Sequence, residues 1–586
     1  MKRNYIGIAN TCHDSSIAVV DSKGRITFAE ATERYLQNKR AINNVPDQSV
    51  RVREIISEYC ENDIDNIIIA HTWSDDNLNY LNNNDAYSSL DDFVRGGNRS
   101  DIPTSFLDIY TISKYVRDSL PRFAALSTKT LEYELRQVNN SAFCNDHITR
   151  RYDHHLTHAA TACFTSPFSE GICAVIDGYG GKRATTSCYT YRYGRIEAVR
   201  EPDNSNISPI SLGLFYMIIC NLCGFGLFSG EEWKVMGLAA YGTYDEKIYD
   251  LLKSVINVRG TNLVSGSSPY KALSKIYSYR RRNGESPLQV ANLAYTGQMV
   301  FSEVLHEYLN NIHALYESDN IILGGGCLLN SSTNGKILEK TKFKNAYVFS
   351  APADDGNSIG AALLAYYEDH PEERRNQVFQ SPYLGSTIRS ESIDNLKRYG
   401  RINKLRSLPG EICAKTAELL SDGKIVGWVQ GRAEFGPRAL GNRSILADPR
   451  PHTIKDQINS RVKFREEFRP FAPSILHEFG HQYFEDYQES PYMERTLRFR
   501  NSVLERVPGV VHVDHTGRLQ TVKKEWNERY YKLLDEFYRL TGVPILLNTS
   551  FNIMGKPIIH TLEDAVAVFY TSGLDALVID DLLIEK

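Results

Sequence analysis

The sequence predicts an α/β protein with more than one domain. Apolar runs typical of buried strands end in Gly, Asp or Pro, and helical patterns follow several of them. The length of 586 residues is too great for a single core, because domains average ~150 residues. With 42% apolar and 24% charged residues, the composition excludes collagenous, disordered and coiled-coil proteins.

The strands can be placed in order along the first half of the chain. The first ones predict an antiparallel hairpin series and then a buried strand, over YIGIAN (5–10), IAVVD (17–21), GRITFAEA (24–31) and DNIIIAHT (65–72). Later strands, each followed by a helical pattern, are predicted in ICAVIDGYGG (172–181), NIILGGG (320–326) and NAYVFSAP (345–352). Ligands of such folds bind beyond the carboxyl ends of the strands, so we expect the site there.

A polar, proline-bearing stretch over 369–390 marks a domain boundary. We expect a first domain over 1–372, a linker over 373–390 and a second α/β domain over 391–586. The second domain has predicted strands around GKIVGWV (423–429) and VPILLN (543–548).

Charge and cysteine content restrict the partners and the compartment. The net charge of −4 excludes a generally basic nucleic-acid coat protein but leaves room for a local basic groove. Ten cysteines are scattered through mostly apolar runs, and Cys220-x-x-Cys223 has no second pair, so we expect reduced, buried thiols. Without a secretory signal, the expected location is cytoplasmic.

Two further stretches have more than one interpretation. The uncharged stretch 209–229 is diluted by Ser, Asn and Gly, which favours a buried core helix over a membrane span. The stretch 258–290 has a Gly/Ser-rich part followed by Lys271, Lys275 and three arginines at 280–282. It is either a solvated insertion or a patch that binds a polyanion.

Two histidines and two aspartates predict a metal site. His154 and His158 open a helical run and are four residues apart, so both imidazoles lie on one helix face. Asp153 can cap this helix. Asp177 and Asp354 follow predicted strands. This mixed nitrogen and oxygen set suits iron(II), manganese or zinc.

Glycine-rich turns accompany the predicted metal site. One turn spans 178–181 and another spans 324–326, each directly after a strand. Glycine lets the backbone approach a phosphate closely. Together with residues 11–15 of the first hairpin, these turns indicate nucleotide binding between two subdomains.

The second half is rich in cations beside Gly, Pro and hydroxyl residues. Residues 427–450 are dense in Arg, and Asn548 to Asn552 supply amide and hydroxyl donors. Arg461, Lys463 and Arg465 alternate, so on a strand they would share one face. Because the guanidinium group binds phosphate with two hydrogen bonds, a polyphosphate site is favoured over a surface salt-bridge network.

The motifs together resemble the O-carbamoyltransferases of the NodU/CmcH type. In the first half the resemblance lies in HHLTHA (154–159), AVIDGYGG (174–181), EEWKVMGLAAYG (231–242), GGGCLLN (324–330) and PADDGNSIGAA (352–362). In the second half it lies in QGRAEFGPRALGNRSI (430–445), REEFRPFAP (465–473), HVDHTGRLQTV (512–522) and LLNTSFNIMGKPI (546–558). The motifs occur in the family's order over nearly the whole chain.

This resemblance implies a fold and a set of ligands. The first domain should be actin/Hsp70-like, similar to the tRNA threonylcarbamoyl-transfer protein, and the second YrdC-like. Iron(II) should be bound by His154, His158, Asp177 and Asp354. The implied nucleotide contacts are Gly180, Gly324, Gly325, Gly326 and Asn330. The implied phosphate ligands are Arg438, Arg443, Lys463, Arg469, Arg518, Ser550 and Asn552.

The resemblance also implies a two-step reaction. The second domain would make carbamoyl adenylate from carbamoyl phosphate and ATP, with Mg²⁺ accompanying the ATP. The first domain would then transfer the carbamoyl group to an acceptor hydroxyl. His13 is the candidate base, because histidine is poised near neutral pH. Lys39 and Lys234 are candidates for contacts to the adenylate.

The acceptor is the open part of this prediction. A small hydroxylated metabolite is expected, and a hydroxymethylated pyrimidine in DNA is the alternative that the basic stretches 271–282 and 95–151 allow. Threonylcarbamoyl transfer to tRNA is disfavoured by the fused second domain and the acidic net charge. A non-catalytic scaffold similar to the sugar kinases is disfavoured by the complete metal set. The oligomeric state also stays open, with a homodimer as one candidate.

Overall fold

The structure, a computed structural model, describes residues 2–61, 66–82, 104–138, 148–180, 185–199, 210–226, 229–266, 269–373 and 379–586. Gly181 of the predicted glycine turn, residues 374–378 of the predicted linker, and residues 95–103 and 139–147 of the basic stretch 95–151 lie outside these ranges. The chain forms two compact units. One comprises Met1–Glu33 with Arg40–Gln380, and the other comprises Arg34–Lys39 with Ser381–Lys586.

The first unit contains two five-stranded sheets and a short hairpin. Its strands are β1 (Arg3–Ala9), β2 (Ser16–Val20), β3 (Ile26–Ala31), β4 (Asn66–His71), β5 (Ile148–Arg151), β6 (Glu170–Ile176), β7 (Thr186–Arg192), β8 (Arg195–Ala198), β9 (Asn257–Arg259), β10 (Asn262–Val264), β11 (Asn320–Gly324) and β12 (Asn345–Val348). The predicted hairpin series and all the later strands predicted in this half are confirmed.

The two sheets have the same topology. The first has the order β3-β2-β1-β4-β5 and the second the order β8-β7-β6-β11-β12. In each, the first three strands along the chain are antiparallel and the last two join in parallel. This duplication is the arrangement of the actin/Hsp70-like fold, so the predicted fold class is confirmed.

Helices connect and cover the strands in both units. They are α1 (Thr32–Leu36), α2 (Ser49–Tyr59), α3 (Asp75–Asn82), α4 (Thr104–Leu126), α5 (Lys129–Val138), α6 (His154–Thr165), α7 (Leu212–Leu222), α8 (Trp233–Ala239), α9 (Glu246–Lys253), α10 (Pro269–Ile276), α11 (Ala291–Tyr316), α12 (Ser331–Asn334), α13 (Ile337–Lys340), α14 (Asn357–Asp369), α15 (Ser390–Tyr399), α16 (Ile412–Ser421), α17 (Ile454–Ile458), α18 (Gly480–Tyr483), α19 (Glu528–Thr541) and α20 (Leu562–Thr571).

Helices α6 and α14 pack closely against each other and position the predicted metal site. A Cβ on Gly360 of α14 would lie 2.0 Å from the carbonyl oxygen of Thr157 in α6, so only glycine allows this approach. The Thr161 hydroxyl of α6 donates to the Gly356 carbonyl at 2.9 Å. The amino-terminal ends of the two helices are thereby held side by side.

The apolar stretch 209–229 contains the buried 11-residue helix α7, capped by the Ser211 side chain. Its short length confirms a core helix, and nowhere in the described ranges does a helix have the length and apolarity needed to span a bilayer. Cys220 and Cys223 near its end are buried free thiols.

The second unit is built on one mixed nine-stranded sheet in the order β13-β21-β20-β14-β15-β19-β16-β18-β17. Its strands are β13 (Leu405–Ser407), β14 (Val426–Val429), β15 (Arg443–Ala447), β16 (Ala472–Leu476), β17 (Arg495–Arg498), β18 (Thr516–Val522), β19 (Ile545–Ser550), β20 (Ala576–Ile579) and β21 (Leu582–Glu585). β14 and β19 confirm the two strands predicted here, and the unit has the expected α/β architecture.

One local prediction in this unit is wrong. Residues Asn459–Lys463 form a π-helical turn that continues α17, rather than a strand with alternating cations. Ile454, Ile458 and Val462 are spaced four residues apart and are all buried, so the segment follows a helical period.

Candidate metal centre and cationic cluster

The four predicted metal ligands meet at the carboxyl edge of the second sheet. His154 and His158 lie in the first two turns of α6, where the Asp153 side chain caps the helix. Asp177 directly follows β6, and Asp354 lies in the short turn before α14. One ligand atom from each of the four lies within 4.8 Å of the others.

The distances describe a compact set of nitrogen and oxygen donors. His154 Nε2 lies 3.6 Å from Asp177 Oδ2 and 3.5 Å from Asp354 Oδ1. His158 Nε2 lies 3.6 Å and 3.2 Å from the same two oxygens. All four residues are buried. Buried charges need a partner or a metal, so this donor set fits a divalent cation.

The electrostatics of the four groups also favour a cation. Burial alone lowers the pKa of His154, but hydrogen bonds to Asp177 and Asp354 outweigh burial and raise it to about 10. Burial raises the pKa of Asp177, yet its hydrogen bonds to the two histidines bring it well below the usual range. Two carboxylates that stabilise a positive imidazole would equally stabilise a metal ion.

Contacts around the ligands hold them in place. Trp73 stacks on the His154 ring with centroids 4.1 Å apart. Asn77 accepts a hydrogen bond from the His154 backbone N–H at 3.2 Å and donates to Asp153 at 3.0 Å. Neither residue was predicted from the sequence, because both come from a distant segment after β4 and carry no motif of their own.

The glycine turns shape this centre. Gly325 has a φ of 99°, and a Cβ there would lie 2.2 Å from the Ile176 carbonyl oxygen. The Gly326 N–H donates to Asp177 Oδ1 at 2.9 Å, and a Cβ on Gly324 would lie 3.1 Å from the His158 carbonyl. Gly180 abuts the His155 ring. Gly324, Gly325 and Gly326 therefore shape the backbone around the metal ligands, whereas Gly180 lies against His155.

Asn330, predicted to contact nucleotide, forms a reciprocal amide pair with Gln298. Its Nδ2 donates to Gln298 Oε1 at 3.0 Å, and its Oδ1 accepts from Gln298 Nε2 at 3.2 Å. The same Oδ1 caps α12 through the Thr333 N–H. The structure therefore places Asn330 in a buried polar network between α11 and α12.

His13 lies at the edge of the metal centre. Its Nδ1 is 3.8 Å from Asp354 Oδ2 and 3.0 Å from Asp14 Oδ2. Arg40 binds the same Asp14 carboxylate with Nε and Nη2. Burial would raise the pKa of Asp14, but the charge of Arg40 and the hydrogen bond from His13 lower it to about 2.

The two candidate lysines fall in different units. Lys234 is buried in α8, where it pairs with Glu231 at 2.7 Å and lies over the Phe225 ring at 5.2 Å. Lys39 begins the short helical turn Lys39–Ala41 and is counted with the second unit.

In the second unit, five cations form a cluster that we call the cationic cluster: Arg438, Lys463, Arg465, Arg469 and Arg518. Burial and the Arg518 charge lower the pKa of Arg438, and burial with the Arg469 charge lowers that of Arg518 to about 10. Burial, Arg465 and Arg469 likewise lower the pKa of Lys463. Such mutual repulsion marks a site prepared for an anion.

Polar groups of Ser550 and Asn552 complete one side of the cluster. Lys463 Nζ donates to Asn552 Oδ1 at 2.7 Å and also to the Ser550 carbonyl. The Ser550 hydroxyl donates to Asn552 Oδ1 at 2.8 Å. Arg465, absent from the ligand set implied by the resemblance, stacks over Phe471 at 4.3 Å.

Two arginines lie outside this cluster. The fully buried Arg443 donates to the carbonyl oxygens of Gln430, Asn442, Ser386 and Gly431 at 2.7 to 3.0 Å, so its guanidinium group holds backbone loops together. Arg461 pairs with Asp575 at 3.1 Å near the surface. The sequence carries no signal that separates such arginines from phosphate ligands.

The basic segment between 258 and 290 contacts the residues after α7 through Arg281. Its guanidinium group donates to the Gly224 carbonyl at 2.7 Å and lies 5.5 Å from the centre of the Phe225 ring. Arg280 stacks on Tyr277 at 3.9 Å. Lys271, Lys275 and Arg282 are exposed.

Comparison with known proteins assigns the family. Residues 4–363 match the family description Carbamoyltransferase N-terminus, and residues 417–586 match Carbamoyltransferase C-terminus. The chain therefore belongs to the carbamoyltransferase family, which confirms the resemblance seen in its motifs.

Named relatives support this membership. The chain is 37% identical over 445 residues to Nodulation protein NolNO of Sinorhizobium fredii, covering 74% of this chain and 63% of that protein, which is less than two thirds of its length. It is 35% identical over 446 residues to Nodulation protein NolO of Bradyrhizobium diazoefficiens, covering 74% and 79%.

The chain is also similar to an uncharacterized protein and to a protein of known structure. The chain is 29% identical over 623 aligned positions to the uncharacterized protein MJ1058 of Methanocaldococcus jannaschii, covering 99% of each chain. A crystal structure of full-length HypF in the phosphate- and nucleotide-bound form is similar with a TM-score of 0.36 and 14% identity, over 62% of this chain and 55% of that one.

Proposed function

We propose that this carbamoyltransferase makes carbamoyl adenylate from carbamoyl phosphate and ATP in its second unit, and transfers the carbamoyl group to an acceptor hydroxyl in its first unit. The observation that carries the proposal is the presence of two chemically different sites in one chain. One is a buried nitrogen and oxygen donor set, and the other is a cluster of half-buried arginines around the buried Lys463, whose charges repel one another.

The cationic cluster suits the first step. ATP and carbamoyl phosphate both bring phosphate oxygens, and guanidinium groups bind these bidentately. Mg²⁺ would accompany the ATP. As carbamoyl adenylate forms, pyrophosphate and phosphate leave, and Arg438, Arg469 and Arg518 would stabilise the departing negative charge. Lys463, fixed by Ser550 and Asn552, would serve as the central point charge of the site.

The metal centre suits the second step. His154, His158, Asp177 and Asp354 would hold a divalent metal, with iron(II) as the proposed ion. A metal bound there would supply Lewis-acid polarisation of a carbonyl group. His13, next to Asp354, would accept the proton of the acceptor hydroxyl as its oxygen attacks the carbamoyl carbon and AMP leaves.

For the acceptor we propose a small hydroxylated metabolite. A DNA base bearing a hydroxymethyl group is the second candidate, and one observation favours it. Five cations lie between 271 and 282, and within the described ranges none of their side chains forms an ion pair with a carboxylate. In the same unit the exposed Lys344 does pair with a carboxylate, that of Asp319.

One panel of acceptor substrates distinguishes the two acceptor classes. Purified protein loaded with iron(II) is given ATP, carbamoyl phosphate and either glucosamine, hydroxymethyldeoxyuridine or a DNA duplex containing that nucleoside. Pyrophosphate release and product mass are followed. The proposal predicts pyrophosphate release that requires carbamoyl phosphate, and a product heavier by one carbamoyl group. No pyrophosphate release under any condition would refute it.

Nucleic-acid binding is tested separately by salt dependence. If the basic segment contacts DNA phosphates, affinity falls steeply with salt, and Lys271→Glu with Lys275→Glu lowers the salt slope by about one for each lost contact. Lys340→Glu with Lys344→Glu is the matched control, since both lysines pair with carboxylates. No DNA affinity at low salt would leave the small metabolite as the acceptor.

A further inference from the structure

The backbone around Arg438, in the connection between β14 and β15, is held by one buried carboxylate. This carboxylate belongs to Glu434 of the same connection, which is 2% exposed. Its Oε1 atom accepts three backbone N–H groups, from Leu440 at 2.6 Å and from Asn442 and Arg443 at 3.3 Å each. These contacts close the chain into a loop over 434–443, which we call the Arg438 loop.

Carbonyl oxygens of the Arg438 loop are bound by buried side chains of the sheet. Asn548 of β19 donates to the Ala439 carbonyl at 3.3 Å, and Gln520 of β18 donates to the Leu440 carbonyl at 2.8 Å. Asn548 also donates to Gln520 Oε1 at 3.0 Å, and the Ser474 hydroxyl of β16 donates to the same oxygen at 2.6 Å. The loop is thus tied to the sheet by a connected network of buried amides.

The strands that hold the loop also hold other members of the phosphate site. Arg518 lies two residues before Gln520 on β18. Ser550, whose hydroxyl lies 3.4 Å from Lys463 Nζ, follows Asn548 by two residues on β19. Because side chains two residues apart on a strand lie on the same face, the two buried amides connect the Arg438 loop to the face of the sheet where the other cations are held.

We propose that Glu434 is a positioning residue of the phosphate site, which holds the Arg438 loop so that Arg438 binds the same phosphate group as Arg518 and Lys463. This inference rests on the proposed function of the second unit. A guanidinium group binds phosphate through two parallel hydrogen bonds, and a displacement of about 1 Å is enough to lose such an alignment. Glu434 therefore acts on the anion through the backbone of the loop, by fixing Arg438 before the anion arrives.

Pyrophosphate affinity, measured by calorimetry, tests this role. Glu434→Met removes the acceptor and should weaken pyrophosphate binding about 10- to 100-fold, as expected for one lost charge-assisted contact. Glu434→Gln should keep most of the affinity, because its amide oxygen can accept the same N–H groups and Glu434 Oε2 has no hydrogen-bond partner within the described ranges. A loss in Glu434→Gln as large as that in Glu434→Met would overturn the inference.

Asp448→Leu is the matched control. Asp448 is also 2% exposed and accepts the Arg450 backbone N–H at 2.9 Å, but it lies beyond the other end of β15. This variant should destabilise the second unit in urea unfolding and leave the pyrophosphate affinity unchanged. An equal loss of affinity in Asp448→Leu and Glu434→Met would reduce the role of Glu434 to general stability and overturn the inference.

A double-mutant cycle shows whether Glu434 acts through Arg438. In Arg438→Lys the charge stays but the planar fork is lost, so alignment matters less. In that background Glu434→Met should weaken pyrophosphate binding by less than about 3-fold, and an undiminished effect would overturn the positioning role. If Glu434→Met does not fold, Gln520→Met, which releases the Leu440 carbonyl, takes its place with the same expectations. Absence of pyrophosphate binding in the wild type would instead refute the proposed function, and this inference with it.

Discussion

Replacing Arg518 with methionine distinguishes an anion site from a structural salt-bridge network. Arg518 lies on β18 and is half-buried, with the charges of Arg469 and Arg438 nearby. Methionine keeps much of the apolar stem and removes the charge. In a salt-bridge network this change would destabilise the unit, whereas in an anion site it should stabilise the ligand-free protein and abolish anion binding.

The structure sets the magnitude of this effect. Burial and the Arg469 charge lower the pKa of Arg518 to about 10. The lowering of the Arg518 pKa from the ordinary arginine value corresponds to a free energy of about 3 kcal/mol, at about 1.4 kcal/mol per pH unit. Because arginine stays charged at neutral pH, this free energy destabilises the folded, ligand-free protein. Allowing for lost hydrogen bonds, Arg518→Met should raise the free energy of unfolding of the second unit by about 1–3 kcal/mol.

Urea unfolding with and without pyrophosphate measures both effects. Wild-type protein should gain about 2.7 kcal/mol when pyrophosphate is at one hundred times its dissociation constant, and Arg518→Met should gain nothing. Arg461→Met is the control, since this exposed arginine pairs with Asp575; it should lose at most about 1 kcal/mol and keep the pyrophosphate effect. Destabilisation by Arg518→Met with an intact pyrophosphate response would refute the reasoning.

Three further predictions follow from the same structure. His158→Asn should lose metal binding, measured as metal per protein after dialysis, while pyrophosphate binding stays at the wild-type level. Burial and the Arg465 charge lower the pKa of Lys463, and a bound anion raises this pKa again. Pyrophosphate binding should therefore take up protons and weaken as the pH rises. Calorimetry in two buffers measures the proton uptake, and Lys463→Met should abolish it. Arg443→Met should destabilise the second unit by about 3–5 kcal/mol in urea unfolding, because four buried carbonyl groups lose their donor.

The metal centre could be predicted because its signals are local. His154 and His158 are one helical turn apart, and Asp177 and Asp354 each follow an apolar strand. The carboxyl ends of the parallel strands β6, β11 and β12 lie at one edge of their sheet, so the sequence pattern predicts that the four side chains lie close together.

Other parts of the sites depend on contacts that no local pattern encodes. Arg40 reaches Asp14 through a loop of left-handed residues, and Trp73 covers His154 from the separate segment that follows β4. Arg443 and Arg518 look alike in sequence, yet one holds carbonyl groups and the other lies among cations. Around Lys463, the alternation of charges concealed the four-residue apolar spacing that makes the segment helical.

The central claim is that the second unit forms the adenylate and the first unit transfers the carbamoyl group. It is tested most directly by measuring pyrophosphate release and carbamoylated product in the same reaction for wild type, Arg518→Met and His158→Asn. We expect Arg518→Met to release no pyrophosphate, and His158→Asn to release it at the wild-type rate but to form no product. Equal loss of pyrophosphate release in both variants, or release by Arg518→Met at the wild-type rate, would contradict it.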